Sequence, residues 1–99
     1  MTLAEITEKF NEHAHRMPAL GKTMKLVFDE GVVFIDMEGA NAIVNNDDRD
    51  ADCTISTKID TLEAIRKGEL NGMMAVMSGK IKIKGDMSVA MQLQSLLSA

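Results

Sequence analysis

The sequence predicts an α+β fold, with an antiparallel hairpin at its heart and helices gathered on one side. Three observations predict it. Met24, Leu26 and Phe28 alternate with Lys25 and Asp29, and after the turn-like Asp29-Glu30-Gly31 the residues Val33, Ile35 and Met37 alternate again, the period of a half-buried hairpin. Both ends of the chain carry apolar residues at helical spacing. A length of 99 residues makes 1–99 a single domain, with room for one core and one pocket.

The elements follow in order. Leu3, Ile6, Phe10, Ala14 and Met17 form the apolar stripe of a helix ending near Arg16, opened by a capping box of Thr2 and Glu5 and followed by Pro18. The hairpin comes next. A weaker third strand includes Ala42, Ile43 and Val44, and the polar stretch from Asn45 to Asp52 has the composition of a loop. Cys53 to Thr57 reads as a fourth strand. Asp60 followed by Glu63 resembles a capping box for a short helix through Leu62 and Ile65 that Gly68 stops. Asn71 caps another short helix holding Met73, Met74, Val76 and Met77, closed by Gly79. Ile81 and Ile83 alternate with Lys80, Lys82 and Lys84 in a strand with one dry face, and Asp86 caps a last helix reaching about Leu97.

Composition removes several function classes. The net charge of −4 opposes nucleic-acid binding, which draws its affinity from clustered Lys and Arg. Cys53 is the single cysteine, so no internal disulfide forms and a buried reduced thiol is expected. Glu5 and Glu8 near the start, with no apolar run of signal length, argue against secretion, and no stretch is long enough to span a bilayer. Leu97-Ser98-Ala99 is not a peroxisomal address. A cytoplasmic location is expected.

The last helix is the most informative segment. Val89, Ala90, Leu93, Leu96 and Leu97 make one broad stripe, while Met87 and Met91 extend the apolar surface beyond what packing on a sheet requires. Met73 to Met77 shows the same surplus. Nine methionines against three phenylalanines, with no Trp or Tyr, is an unusual way to fill a core, because methionine is flexible and suits surfaces that adapt to varied apolar partners. Plain core packing, contact with a second copy in a homodimer, and a ligand pocket all remain open on this pattern.

The run Asn71-Gly72-Met73-Met74-Ala75-Val76-Met77-Ser78-Gly79-Lys80-Ile81-Lys82-Ile83-Lys84-Gly85-Asp86-Met87 resembles the signature of the sterol carrier protein 2 family. Ala90-Met91, the Leu-rich end and the upstream Asp52-Cys53-Thr54-Ile55 fit the same order; the first half agrees in element order alone and is compact between Asp36 and Asp52. The resemblance implies a five-stranded, mostly antiparallel sheet with helices on one side enclosing an apolar tunnel. It also implies binding of sterols, fatty acids, fatty acyl-CoA or phospholipids, with no chemical step and no cofactor. Gly85 lets the chain turn so that Asp86 caps a helix over the sheet. Met73, Met74, Met77, Met87 and Met91, with Phe28 and Phe34 as neighbours, are then expected to line the cavity. The expected partner is a lipid or fatty acyl ligand, with at most transient contact with a membrane surface.

Other motifs carry less. Lys80, Lys82 and Lys84 could meet an anionic headgroup, though a solvated face protecting a sheet edge is the plainer reading. Asp48, Asp50 and Asp52 imitate the opening of a calcium loop, but Cys53 stands at the glycine position and Ile59 at the twelfth. His13 and His15 are two apart on a helix and cannot share a metal. Gly72 and Gly79-Lys80 have the wrong spacing for a phosphate loop. No residue set suggests a nucleophile, so a non-enzymatic function without metal is expected.

Overall fold

The computed structural model describes the backbone of residues 1–98 and the side chains of residues 1–92. The stripe residues Leu93, Leu96 and Leu97 therefore lie outside the described side chains.

Helix α1 (Leu3–Glu12) starts on the expected capping box, with the Thr2 hydroxyl accepting from the Glu5 N–H and the Glu5 carboxylate accepting from the Thr2 N–H, both at 3.2 Å. A 3-10 turn over Ala14–Arg16 continues it toward Pro18. Ile6 and Phe10, one turn apart, are the residues it buries.

Five strands form one sheet in the order β3-β2-β1-β4-β5. The hairpin of β1 (Thr23–Phe28) and β2 (Gly31–Asp36) pairs Leu26 with Val33 and Met24 with Ile35. The short β3 (Ile43–Asn45) adds to β2 at one edge, and β5 (Lys82–Gly85) forms the other edge against β4 (Cys53–Ser56). These pairings are antiparallel. The central pairing of β1 with β4 is parallel, so the sheet is mixed.

Alternation along the strands sorts side chains onto two faces. Met24, Leu26 and Phe28 point inward with Val33, Ile35, Cys53, Ile55 and Ile83, which occupy matching positions in the register. This inward face joins Ile6, Phe10, Ile59, Leu62, Val89 and Ala90 from the helices in one core. Full burial of each large apolar side chain there contributes about 1.5–3 kcal/mol. Cys53 is buried among them as a free thiol.

The outer face is covered differently. The chain leaves β3 at one edge and must reach β4 beyond β2 and β1, so residues 46–52 run beneath the sheet as a strap. Asp48 pairs with Lys25 at 3.0 Å, and the Arg49 guanidinium lies 4.3 Å from the centre of the Phe34 ring. Lys25 and Phe34 are register partners, so the strap crosses the face opposite Leu26.

Helix α2 (Ile59–Arg66) corrects the expected cap. Its N-cap is Lys58, which makes no side-chain cap; the Ile59 N–H instead donates to Asp29 Oδ1 at 3.0 Å. The hairpin turn thus caps a helix 30 residues later. Asn71 caps α3 (Gly72–Met77) as expected, accepting from the Met73 N–H at 2.8 Å. Lys80 lies outside β5, in the bend after α3.

Gly85 has φ +102°, and a Cβ built there would sit 2.2 Å from the Asp52 carbonyl oxygen. No L side chain fits that contact. The close approach lets the Asp86 N–H donate to the same carbonyl at 2.9 Å, and α4 (Met87–Ser98) begins directly over β4. Asp86 Oδ1 accepts from the Ser88 N–H at 2.9 Å, the helix cap that the sequence predicts.

Candidate functional site

Between the inward face and α2, α3 and α4 lies an apolar cavity of about 180 Å³. Its floor is a cross-strand row: Leu26 faces Ile55 and Ile55 faces Ile83 in the register, with Phe28 beside them. Leu62 and Ile65, three apart on α2, close one side. Gly72, Met73 and Val76 of α3, Met87, Ala90 and Met91 of α4, and Ile81 between α3 and β5 close the rest.

Among the described lining residues Thr57 carries the one polar side chain, and its hydroxyl already donates to the Lys80 carbonyl at 3.0 Å. A ligand acceptor inside would find no unengaged side-chain donor, so a buried carboxylate or phosphate there would lose its water without replacement. Alkyl or ring carbon suits the space; a headgroup does not.

Of the seven residues expected at the site, the structure brings four together: Phe28, Met73, Met87 and Met91. Met73, Met87 and Met91 are also 62%, 55% and 66% exposed, so they form a rim rather than a wall. Met74 and Met77 are 58% and 79% exposed and do not line the cavity. A six-residue helix offers its neighbours little surface; α3 buries Ala75 and turns Met73 and Val76 to the cavity. Phe34 sits on the outer face, buried beneath Arg49 of the strap, because its register partner is Lys25 and not Leu26.

The floor residues Leu26, Ile55 and Ile83 were missing from the expected set, as were Leu62 and Ile65. Their alternation and helical spacing mark them as apolar and inward. What marks them as a floor is the pairing of β4 with β1 and β5, which involves residues 26 or more positions apart.

One ion pair anchors the site. Lys22 Nζ binds the Asp86 carboxylate, joining the start of β1 to the cap of α4. This contact holds the Asp86 carboxyl well below the usual carboxylate range, helped by the Ser88 hydroxyl and N–H, and it raises Lys22 above the usual lysine range. The Cys53 thiol is pushed up, first by burial and then by the Asp86 charge, so the reactive thiolate is disfavoured.

The remaining charged candidates lie elsewhere. Lys82 and Lys84 pair with Ser56 and Thr54, on the face opposite Ile83, and both are exposed. Asp48 holds Lys25, while Asp52 accepts from the Thr23 N–H at 2.8 Å. His13 and His15 are exposed at the end of α1 and in the turn after it. Among the described residues no cluster of three His, Cys, Asp or Glu could hold a metal, and no helix is long and apolar enough to cross a membrane.

The model of the SCP-2 sterol transfer family matches residues 3–98. The chain belongs to that family. Sterol carrier protein 2 of Bos taurus is 41% identical over 58 residues, which are 59% of this chain and 11% of that protein. The chain thus corresponds to a small part of that relative's length. Sterol carrier protein 2-like 2 from Aedes aegypti superimposes with a TM-score of 0.72 at 18% identity, covering 94% of each chain. A solution structure of that mosquito protein described as palmitated gives 0.70 at 19% identity, covering 100% of this chain and 96% of the other. In this SCP-2 member the signature run supplies one side of the cavity, from Met73 on α3 to the turn of α4.

Proposed function

We propose that this SCP-2 domain binds an apolar lipid, tail first, and carries it without transforming it. Fatty acids, fatty acyl-CoA, sterols and phospholipids are the candidate ligands. The supporting observation is an apolar cavity with no unengaged side-chain donor, opening at a rim of exposed methionines. A dry cavity of about 150 Å³ holds a benzene-sized molecule. The 180 Å³ here accepts somewhat more, which is less than a long acyl chain needs. The rest of such a chain would lie along Met73, Met87 and Met91, whose flexible side chains part to extend the cavity into a tunnel. Family membership and the palmitated mosquito relative favour this reading. No catalytic step is proposed, since the buried Cys53 is held as a thiol, and a single reduced cysteine suits the cytoplasm.

The test is native mass spectrometry with added palmitate. A one-to-one adduct is expected, and Met91→Glu, at an exposed rim position, should weaken it about tenfold or more while the protein stays folded. No adduct at saturating palmitate would refute the reading. A second reading, docking to a partner protein or a second copy, draws on Met74 and Met77, which are exposed yet lie off the cavity. Light scattering tests the second copy, because a monomer at high concentration excludes it.

A further inference from the structure

Eight of the nine methionines fall into two environments, Met1 being half-buried. Met17, Met24 and Met37 are buried in the core, whereas Met73, Met74, Met77, Met87 and Met91 are all exposed and all belong to α3 and the first turns of α4. Three of these five form the rim of the cavity, and the other two share α3 with Met73. A thioether reacts with peroxides according to its exposure, and the product changes an apolar flexible side chain into a polar one.

We propose that the five exposed methionines are a selective oxidation site, and that their conversion to sulfoxides closes the cavity to apolar ligands while the core stays intact. The ligand half of this inference rests on the carrier reading above. In each reaction the sulfur lone pair attacks one oxygen of hydrogen peroxide and the O–O bond breaks. One oxygen remains on sulfur and the other leaves as water, so sulfur loses two electrons and the peroxide gains two. The sulfoxide oxygen then requires hydrogen-bond partners that the cavity lining does not offer. Water gathers at Met73, Met87 and Met91, and the rim no longer guides an acyl chain inward. Cys53 does not compete, because it is buried and its thiolate is disfavoured. The change is reversible, since the two methionine sulfoxide reductases each reduce one epimer.

The sequence makes the site easy to read. Trypsin places Met73, Met74 and Met77 in peptide 68–80 and Met87 and Met91 in peptide 85–99, apart from Met17, Met24 and Met37 in peptides 17–22, 23–25 and 26–49. The protein is titrated with hydrogen peroxide, mapped by peptide mass spectrometry, and assayed for palmitate binding and thermal melting. Sulfoxides should fill peptides 68–80 and 85–99 first, with palmitate affinity falling about tenfold or more and the cooperative melt retained. Reductase treatment should restore binding. In a variant carrying Met→Leu at 73, 74, 77, 87 and 91, peroxide should leave palmitate affinity where it stood before treatment, whatever that starting affinity is. Oxidation of the buried methionines at the same rate would overturn the proposed site, a result that does not depend on whether lipid binds. Untreated protein that takes no palmitate would sink the carrier reading, and with it the ligand half. Unchanged binding after rim oxidation, or equal peroxide sensitivity in the leucine variant, would overturn the inference alone.

Discussion

The two halves of this domain treat methionine in opposite ways. In the hairpin half, Met24 and Met37 are sealed between the sheet and the helices and act as ordinary core residues. In the α3–β5–α4 half, every methionine is exposed and several surround a cavity. The difference teaches where stability and adaptability reside. Packing that excludes all water fixes a shape, and packing that stops short of closure leaves surface that a flexible ligand can cover.

Five substitutions would sharpen or break that contrast. The largest effect is expected for Gly85→Ala, which drives a Cβ into the Asp52 carbonyl at a positive φ. It should cost about 3 kcal/mol or more, lowering the melting temperature by well over 10 °C for a domain of this size. A melt close to that of the parent would mean that the turn over β4 yields easily. Met24→Ala comes next. Its cavity in a dry core should cost about 2–5 kcal/mol by denaturant titration, whereas Met91→Ala should stay within about 0.5 kcal/mol. Equal costs would erase the distinction between the halves.

Asp29→Ala should cost about 0.5–2 kcal/mol by removing the cap of α2 from outside the helix. Hydrogen exchange at the Ile59 amide should rise with it, and an unchanged rate would show that the cap is not maintained in solution. The smallest effect concerns the Lys22–Asp86 pair. Asp86 has a depressed folded pKa, so its stabilisation is complete above the unfolded value of about 3.9 and is lost as pH falls through the folded value. Lys22 has a raised folded pKa, so its share is complete below about 10.4 and is lost as pH rises further. Asp86→Asn keeps a capping oxygen but removes the charge. Its melting temperature should therefore fall less than the parent's between pH 4 and pH 2, and parallel curves would assign the acid sensitivity to other carboxylates.

Much of this was legible in the sequence where the relevant contacts are local. Thr2 with Glu5, Asn71 with Met73, and Asp86 with Ser88 are caps within three residues, and the hairpin follows from alternation around one turn. Asp60 looked like the cap of α2, because the true acceptor, Asp29, lies on the hairpin and is brought there by tertiary structure alone. Phe34 is a different case. It stands between Val33 and Ile35, whose inward alternation turns it to the opposite face over Lys25, and what the sequence did not reveal is the polar strap that covers its ring there. Met74 and Met77 share the signature run and a helix with Met73, and a six-residue helix has too little surface to bury all three.

The strap also sets a minimum length for this protein. From Asn45 to Cys53 the chain takes eight steps, a reach of about 26–29 Å when extended. Beta-strand spacing puts β3 about 14 Å from β4, and passing beneath Phe34 and Lys25 lengthens the route. Removing three residues would leave about 17 Å, hardly enough for the straight line and too little for the detour. Added residues would cost little, because loop closure grows slowly with length. Descendants of this chain are thus free to vary here in one direction only: the crossing can grow into a longer excursion, but it cannot shrink without releasing either the edge strand or the ring it shelters.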